Sequence, residues 1–90
     1  MLTVLLVDDD AEFTEVACTI IEFLGHEVLT AATLKEARDW LEKETFDHVL
    51  LDFMLPDGSG AHLFNELDAL PKRPRVTLIT GHPSVKSVIK

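Results

Sequence analysis

The segment Leu2-Thr3-Val4-Leu5-Leu6-Val7 is almost continuously apolar and gives way at once to Asp8-Asp9-Asp10. A run of this kind suits a strand buried on both faces, the sort found in parallel sheets that carry helices on each side. The next stretch has a different period. Phe13, Val16, Ala17, Ile20, Ile21 and Leu24 recur at spacings of three and four, the stripe of an amphipathic helix. Asp10 is placed to cap its start and Gly25 to end it. Residues 26–30 read as a shorter strand, and Thr33 as the cap of a second helix that turns Leu34, Ala37 and Leu41 inward, with Trp40 beside them.

The alternation continues. Residues 48–52 are a third buried-type strand, followed by a loop with one proline and two glycines over residues 53–60. Leu63, Phe64, Leu67 and Leu70 form the inner face of a third helix, which Pro71 and Pro74 break. Residues 75–80 make a fourth strand, Gly81-His82-Pro83 turns the chain, and residues 83–90 read as the start of another helix. Strands alternating with helices imply an α/β domain with a parallel sheet and right-handed crossovers. There are no internal repeats, and residues 1–90 read as one domain.

Composition narrows the functional classes. A hydrophobic fraction of 47% supports a core, and the net charge of −8 argues against a nucleic-acid grip. No apolar run approaches the length of a membrane span, and the first residues do not resemble a secretion signal. The lone Cys18 fits a reducing compartment, so a cytoplasmic location is expected.

In open α/β sheets ligands sit beyond the carboxyl ends of the strands. The three apolar strands end in Asp8-Asp9, Asp52 and Thr80. An Asp pair after a strand is often no more than a helix cap, and for Asp10 capping is the better reading. Polar residues at all three ends are harder to dismiss. If Asp8, Asp9 and Asp52 converge, like charges about 5 Å apart repel by roughly 3 kcal/mol per pair at an effective dielectric near 20. Protonation relieves that repulsion, and so does a divalent cation. An all-oxygen set suits Mg2+ better than zinc. A carboxylate beside such a cation can act as a nucleophile toward phosphorus. Thr80 would offer its hydroxyl to a phosphoryl oxygen, with room left by Gly81.

Leu5-Leu6-Val7-Asp8-Asp9-Asp10, then Leu50-Leu51-Asp52-Phe53-Met54-Leu55-Pro56-Asp57-Gly58-Ser59-Gly60, then Leu78-Ile79-Thr80-Gly81 together resemble the receiver domains of two-component response regulators. The match runs through the whole chain in order. It implies a flavodoxin-like doubly wound sheet of strand order 2-1-3-4, with the family's fifth strand and last helix missing. It also implies that Asp52 is the phosphoacceptor, served by a histidine kinase. Asp8, Asp9, Asp52 and the backbone carbonyl of Met54 would hold Mg2+, and Thr80 would be the switch hydroxyl. Pro56 and Gly58 would shape the loop and Ser59 would cap the third helix. An output domain in a longer protein is implied as well, with a further similarity around Thr80 to receivers attached to ATPase-type transcription activators.

The departure from the family is at the C-terminus. The family's fifth strand carries a lysine that pairs with the phosphoryl group, and it has no counterpart in these 90 residues; Lys86 and Lys90 fall on the expected fourth helix. An unprotected fourth strand would invite pairing with another chain, so a homodimer or domain swap is expected. Two other classes compete with a phosphorylated signalling domain. One is a receiver-like interaction module that is never phosphorylated. The other is a Mg2+-dependent phosphohydrolase with an Asp nucleophile. Phosphohydrolases resembling the haloacid dehalogenase group place a second Asp two residues past the nucleophile, where this chain has Met54. The four histidines lie in separate segments without metal-ligand spacing, and Gly58 and Gly60 lack the Lys-Ser/Thr context of a phosphate-binding loop.

Overall fold

The structure is a computed structural model, and it describes residues 1–79 together with residues 87–89. The elements follow in the order β1 (Thr3–Val7), α1 (Ala11–Phe23), β2 (Glu27–Ala31), α2 (Leu34–Lys43), β3 (His48–Asp52), β4 (Met54–Leu55), β5 (Gly58–Ser59), α3 (Gly60–Asp68), β6 (Arg75–Ile79) and β7 (Ser87–Ile89). The main sheet has the order β2-β1-β3-β6-β7. Its first four strands are parallel, in the 2-1-3-4 order implied by the resemblance.

Right-handed crossovers decide which helix covers which face. From β1 the chain moves outward to β2, then reverses direction to reach β3 and β6. The helix of the first step therefore lies on one face, and the helices of the later steps on the other. Leu5, Val7, Val49, Leu51 and Val76 share the second face and form one buried cluster with Leu34 and Ala37 of α2 and Leu63 and Leu67 of α3. Val4, Leu6, His48, Leu50 and Thr77 line the opposite face.

The caps fall where the side-chain chemistry places them. Asp10 accepts from the N–H of Glu12 and Phe13 at 3.0 and 3.2 Å, Thr33 from Glu36 at 3.1 Å, and Ser59 from Ala61 at 3.1 Å. Gly25 leaves α1 at a φ of 91°, a conformation that glycine adopts without strain. Trp40 turns its indole N–H to the Thr30 carbonyl at 2.9 Å.

Several expectations need correction. The loop after Asp52 contains a small antiparallel hairpin, in which Met54 pairs with Ser59 and Leu55 with Gly58. Only part of the α1 stripe turns inward: Ala17 and Ile21 are half-buried, whereas Val16 is 60% exposed, Ile20 53% and Leu24 64%, and α1 buries no residue completely. Leu70 lies beyond the end of α3 and is exposed. Residues 87–89, expected in a helix, instead pair antiparallel with β6, with Thr77 opposite Ile89 and Ile79 opposite Ser87. The physical reason is the open flank of β6, whose unpaired N–H and C=O groups accept a strand rich in β-branched residues. The fourth strand is thus not the bare edge on which dimerisation was expected. Thr80 and residues 81–86 lie outside the described residues, as does Lys90.

Candidate metal and phosphoacceptor site

Because β1 and β3 are parallel neighbours in register, with Val7 beside Leu51, their carboxyl ends finish side by side. That brings Asp8, Asp9 and Asp52 together, with one carboxylate oxygen from each lying within 4.8 Å of the others. Two backbone contacts fix the first of these residues. The Asp8 N–H donates to the Ala31 carbonyl at 2.9 Å, and its carboxylate accepts from the Asp10 N–H at 2.8 Å. Asp8 is only 9% exposed, while Asp9 reaches into solvent.

Gathering and burying these carboxylates has an electrostatic consequence. Desolvation chiefly, and then the charges of Asp52, Asp9 and Asp10, push the Asp8 carboxyl above its ordinary value, against the pull of the Asp10 N–H. Asp52 is also raised, first by desolvation and then by Asp9, while the N–H groups of Met54 and Phe53 oppose the rise. None of the ion pairs among the described residues involves these three carboxylates. The donor set is all oxygen and half-sheltered, and no cation among the described residues pairs with it. It fits a hard divalent ion such as Mg2+, for which one or two carboxylates plus water are the usual ligands.

The segment after Asp52 is fastened at both ends. Phe53 donates its N–H to the Ile79 carbonyl at 2.8 Å and accepts from the Gly60 N–H at 2.8 Å. The Met54 N–H reaches the Asp52 carboxylate at 3.3 Å, and the Met54 side chain is largely exposed. Phe53 is half exposed.

Of the residues expected in the site, the structure brings Asp8, Asp9 and Asp52 together and puts Met54 on the same loop. Thr80 lies outside the described residues. Two contributors were missed by sequence reasoning. At Gly60 a Cβ atom would collide with the Asp52 carbonyl oxygen, so only glycine lets α3 begin this close to β3. Asp57, read only as part of a turn, accepts from the N–H groups of Leu34 and Lys35 at 2.8 and 3.0 Å. The signal for Gly60 was its place immediately after a helix-capping serine. Nothing local in the sequence announces the partner of Asp57, which lies 23 residues earlier.

Comparison with known proteins agrees with this geometry. Residues 4–90 match the profile of the response regulator receiver domain. The response regulator protein PilR of Pseudomonas aeruginosa is 33% identical over 86 residues, covering 96% of this chain and 19% of that protein. A CheY-like receiver domain from Methanospirillum hungatei superposes with a TM-score of 0.86 at 34% identity, over 94% of this chain and 68% of that one. The response regulator TrrA of Thermotoga maritima, solved in complex with Mg2+ and BeF, gives a TM-score of 0.84 at 27% identity, covering 93% of this chain and 73% of that one. The chain therefore spans a small part of the curated relative and roughly two thirds of the solved domains. With the receiver-domain profile matched over residues 4–90 and the fold shared with solved receiver domains, the chain belongs to the response regulator receiver family.

Proposed function

We propose that Asp52 is the phosphoacceptor of this receiver domain and that Asp8, Asp9, Asp52 and the Met54 carbonyl hold a Mg2+ ion beside it. One observation carries the reading: three carboxylates gathered within 4.8 Å at the carboxyl ends of adjacent parallel strands, none of them in an ion pair among the described residues. When bound, Mg2+ supplies positive charge to the phosphoryl oxygens. A carboxylate oxygen of Asp52 attacks the phosphorus of a phosphohistidine, the P–N bond breaks, and the kinase imidazole leaves with the bonding pair and takes up a proton. The product is an acyl phosphate on Asp52. Asp8, held by the Ala31 carbonyl and the Asp10 N–H, orients the neighbouring oxygen donors. Thr80 is proposed as the hydroxyl that reads the phosphorylated state.

The domain acts as a signalling switch rather than as an enzyme with an external substrate. Its partners are a histidine kinase and the output domain of a longer regulator, in the cytoplasm, without direct nucleic-acid contact. No helix among the described residues is long and apolar enough to cross a membrane. A homodimer of this chain is proposed on a different surface from the one expected, because β7 flanks β6: the exposed stripe of α1, with Val16, Ile20 and Phe23.

The test uses a small phosphoramidate donor with and without Mg2+, followed by intact mass and hydroxylamine treatment. The expected result is one Mg2+-dependent, hydroxylamine-labile phosphoryl group, absent from Asp52→Asn. Equal labelling of wild type and D52N would remove Asp52 from the role.

A further inference from the structure

Asp57 makes an unusual connection for a residue at a hairpin turn. Its two carboxylate oxygens accept separately from the backbone N–H groups of Leu34 and Lys35, the first two residues of α2. That helix already has a local cap, since Thr33 accepts from Glu36 and Glu36 reaches back to the Ala32 N–H. Initiating α2 is therefore not the whole role of Asp57. The neighbouring Gly58 is seated against the same helix: at its φ of 149° a Cβ atom would lie 2.9 Å from Leu34 Cδ1. The tip of the β4–β5 hairpin is thus held to α2 by two bonds and a close contact.

The other end of that hairpin is Met54, paired with Ser59 and joined to the Asp52 carboxylate by a long 3.3 Å hydrogen bond. A bond of that length positions little by itself. The neck of the loop is closed by the Gly60 N–H on the Phe53 carbonyl, and Leu55 packs against the core. The two oxygens of Asp57, gripping consecutive N–H groups, add the side-chain bonds that tie the turn itself to α2.

We propose that Asp57 is a positioning residue for the phosphoacceptor loop, clamping the β4–β5 hairpin to the N-terminus of α2 and so holding Met54 where its backbone can serve the acidic site. The inference rests on the reading of Met54 as a metal donor given above. It adds a residue that would touch neither the metal nor the phosphoryl group and acts only through the loop that carries Met54. Partners of this indirect kind typically change metal affinity by 10- to 100-fold.

The experiment compares Asp57→Ala, Asp57→Asn and Thr33→Ala in the 90-residue chain, using two readouts. One is amide hydrogen exchange at Met54 and Gly60 in the metal-free protein; the other is the Mg2+ dissociation constant from NMR titration. Thr33→Ala weakens the same helix terminus without touching the hairpin. The expected result is faster exchange and about 10-fold weaker Mg2+ binding in D57A, partial recovery in D57N, which keeps one acceptor oxygen, and neither change in T33A despite a lower melting midpoint. If D57A and T33A match in both readouts, Asp57 is only a second helix cap and the proposal is overturned. Faster exchange in D57A with no Mg2+ binding even in wild type would keep the clamp but refute the metal site, and with it the positioning role.

Discussion

The two faces of the sheet are built to different standards. Under α2 and α3, Leu5, Val7, Val49, Leu51 and Leu63 are all completely buried, and both helices contribute buried side chains. Under α1 the strand residues Val4 and Leu6 are covered, but Leu50 and Ile79 are only half-buried, and the helix buries nothing completely. Phe23 is 89% exposed. The same hydrophobic periodicity thus has two outcomes. On one face it builds the core; on the other it leaves an apolar stripe of the kind that marks interaction surfaces.

This contrast can be broken most directly in the core. Leu51→Ala removes a fully buried side chain between α2 and α3 and is expected to cost about 2 to 5 kcal/mol. Ile20→Ala on α1 is expected to cost less than about 1 kcal/mol, because half of that side chain is already in water. Denaturant midpoints measure both. Equal losses would mean that α1 is packed as tightly as its counterparts, and the asymmetry would collapse.

The acidic end of the sheet serves both faces, and its expected effect has the opposite sign. Asp8 and Asp52 bind protons more tightly in the folded chain than in the unfolded one. Their contribution to stability is therefore fully present below the unfolded value near pH 4 and is lost as pH rises through their raised folded values. Asp57 runs the other way. Its carboxyl is held low by the Leu34 N–H first, so its contribution is present above the unfolded value and lost as pH falls through the folded one. Metal-free protein should accordingly lose stability as pH rises from about 4 toward neutrality, and millimolar Mg2+ should restore it. Asp52→Asn should raise the metal-free midpoint by about 4 to 8 °C, for roughly 1 kcal/mol of relieved repulsion after allowing for solvent screening. A midpoint unchanged by both pH and substitution would mean that the three carboxylates do not repel.

The smallest effect is expected on the α1 stripe. Phe23→Lys should change stability by less than about 0.5 kcal/mol while reducing any concentration-dependent association seen in sedimentation. Association unaffected by this change would direct attention away from α1.

Most of the sheet was legible because buried parallel strands need apolar runs, and residues 4–7 and 49–51 carry them. The acidic site followed from a rule about where such strands end. Asp10, Thr33 and Ser59 were legible as caps because capping is decided within three residues. What could not be read depends on partners distant in sequence. The stripe of α1 has the periodicity of a buried helix, but burial depends on what lies opposite, and periodicity carries no information about that. Ser87-Val88-Ile89 is short enough to suit either helix or strand, and the open flank of β6 decided it. The reach of Asp57 to α2 spans 22 to 23 residues and exists only after β1, β2 and β3 have assembled.

The closed neck between Phe53 and Gly60 bears on how such a chain can change over generations. Because the loop leaves and returns at nearly one point, residues can be added at its tip without separating its ends. Asp52 and the start of α3 would keep their places in a lengthened variant. The casualty would be the reach of Asp57 to α2, so insertions here should be accompanied by a relocated acid or a redesigned start to that helix. Length at this turn is cheap to vary for the backbone and constrained by the Asp57 carboxylate and the seat of Gly58 against Leu34.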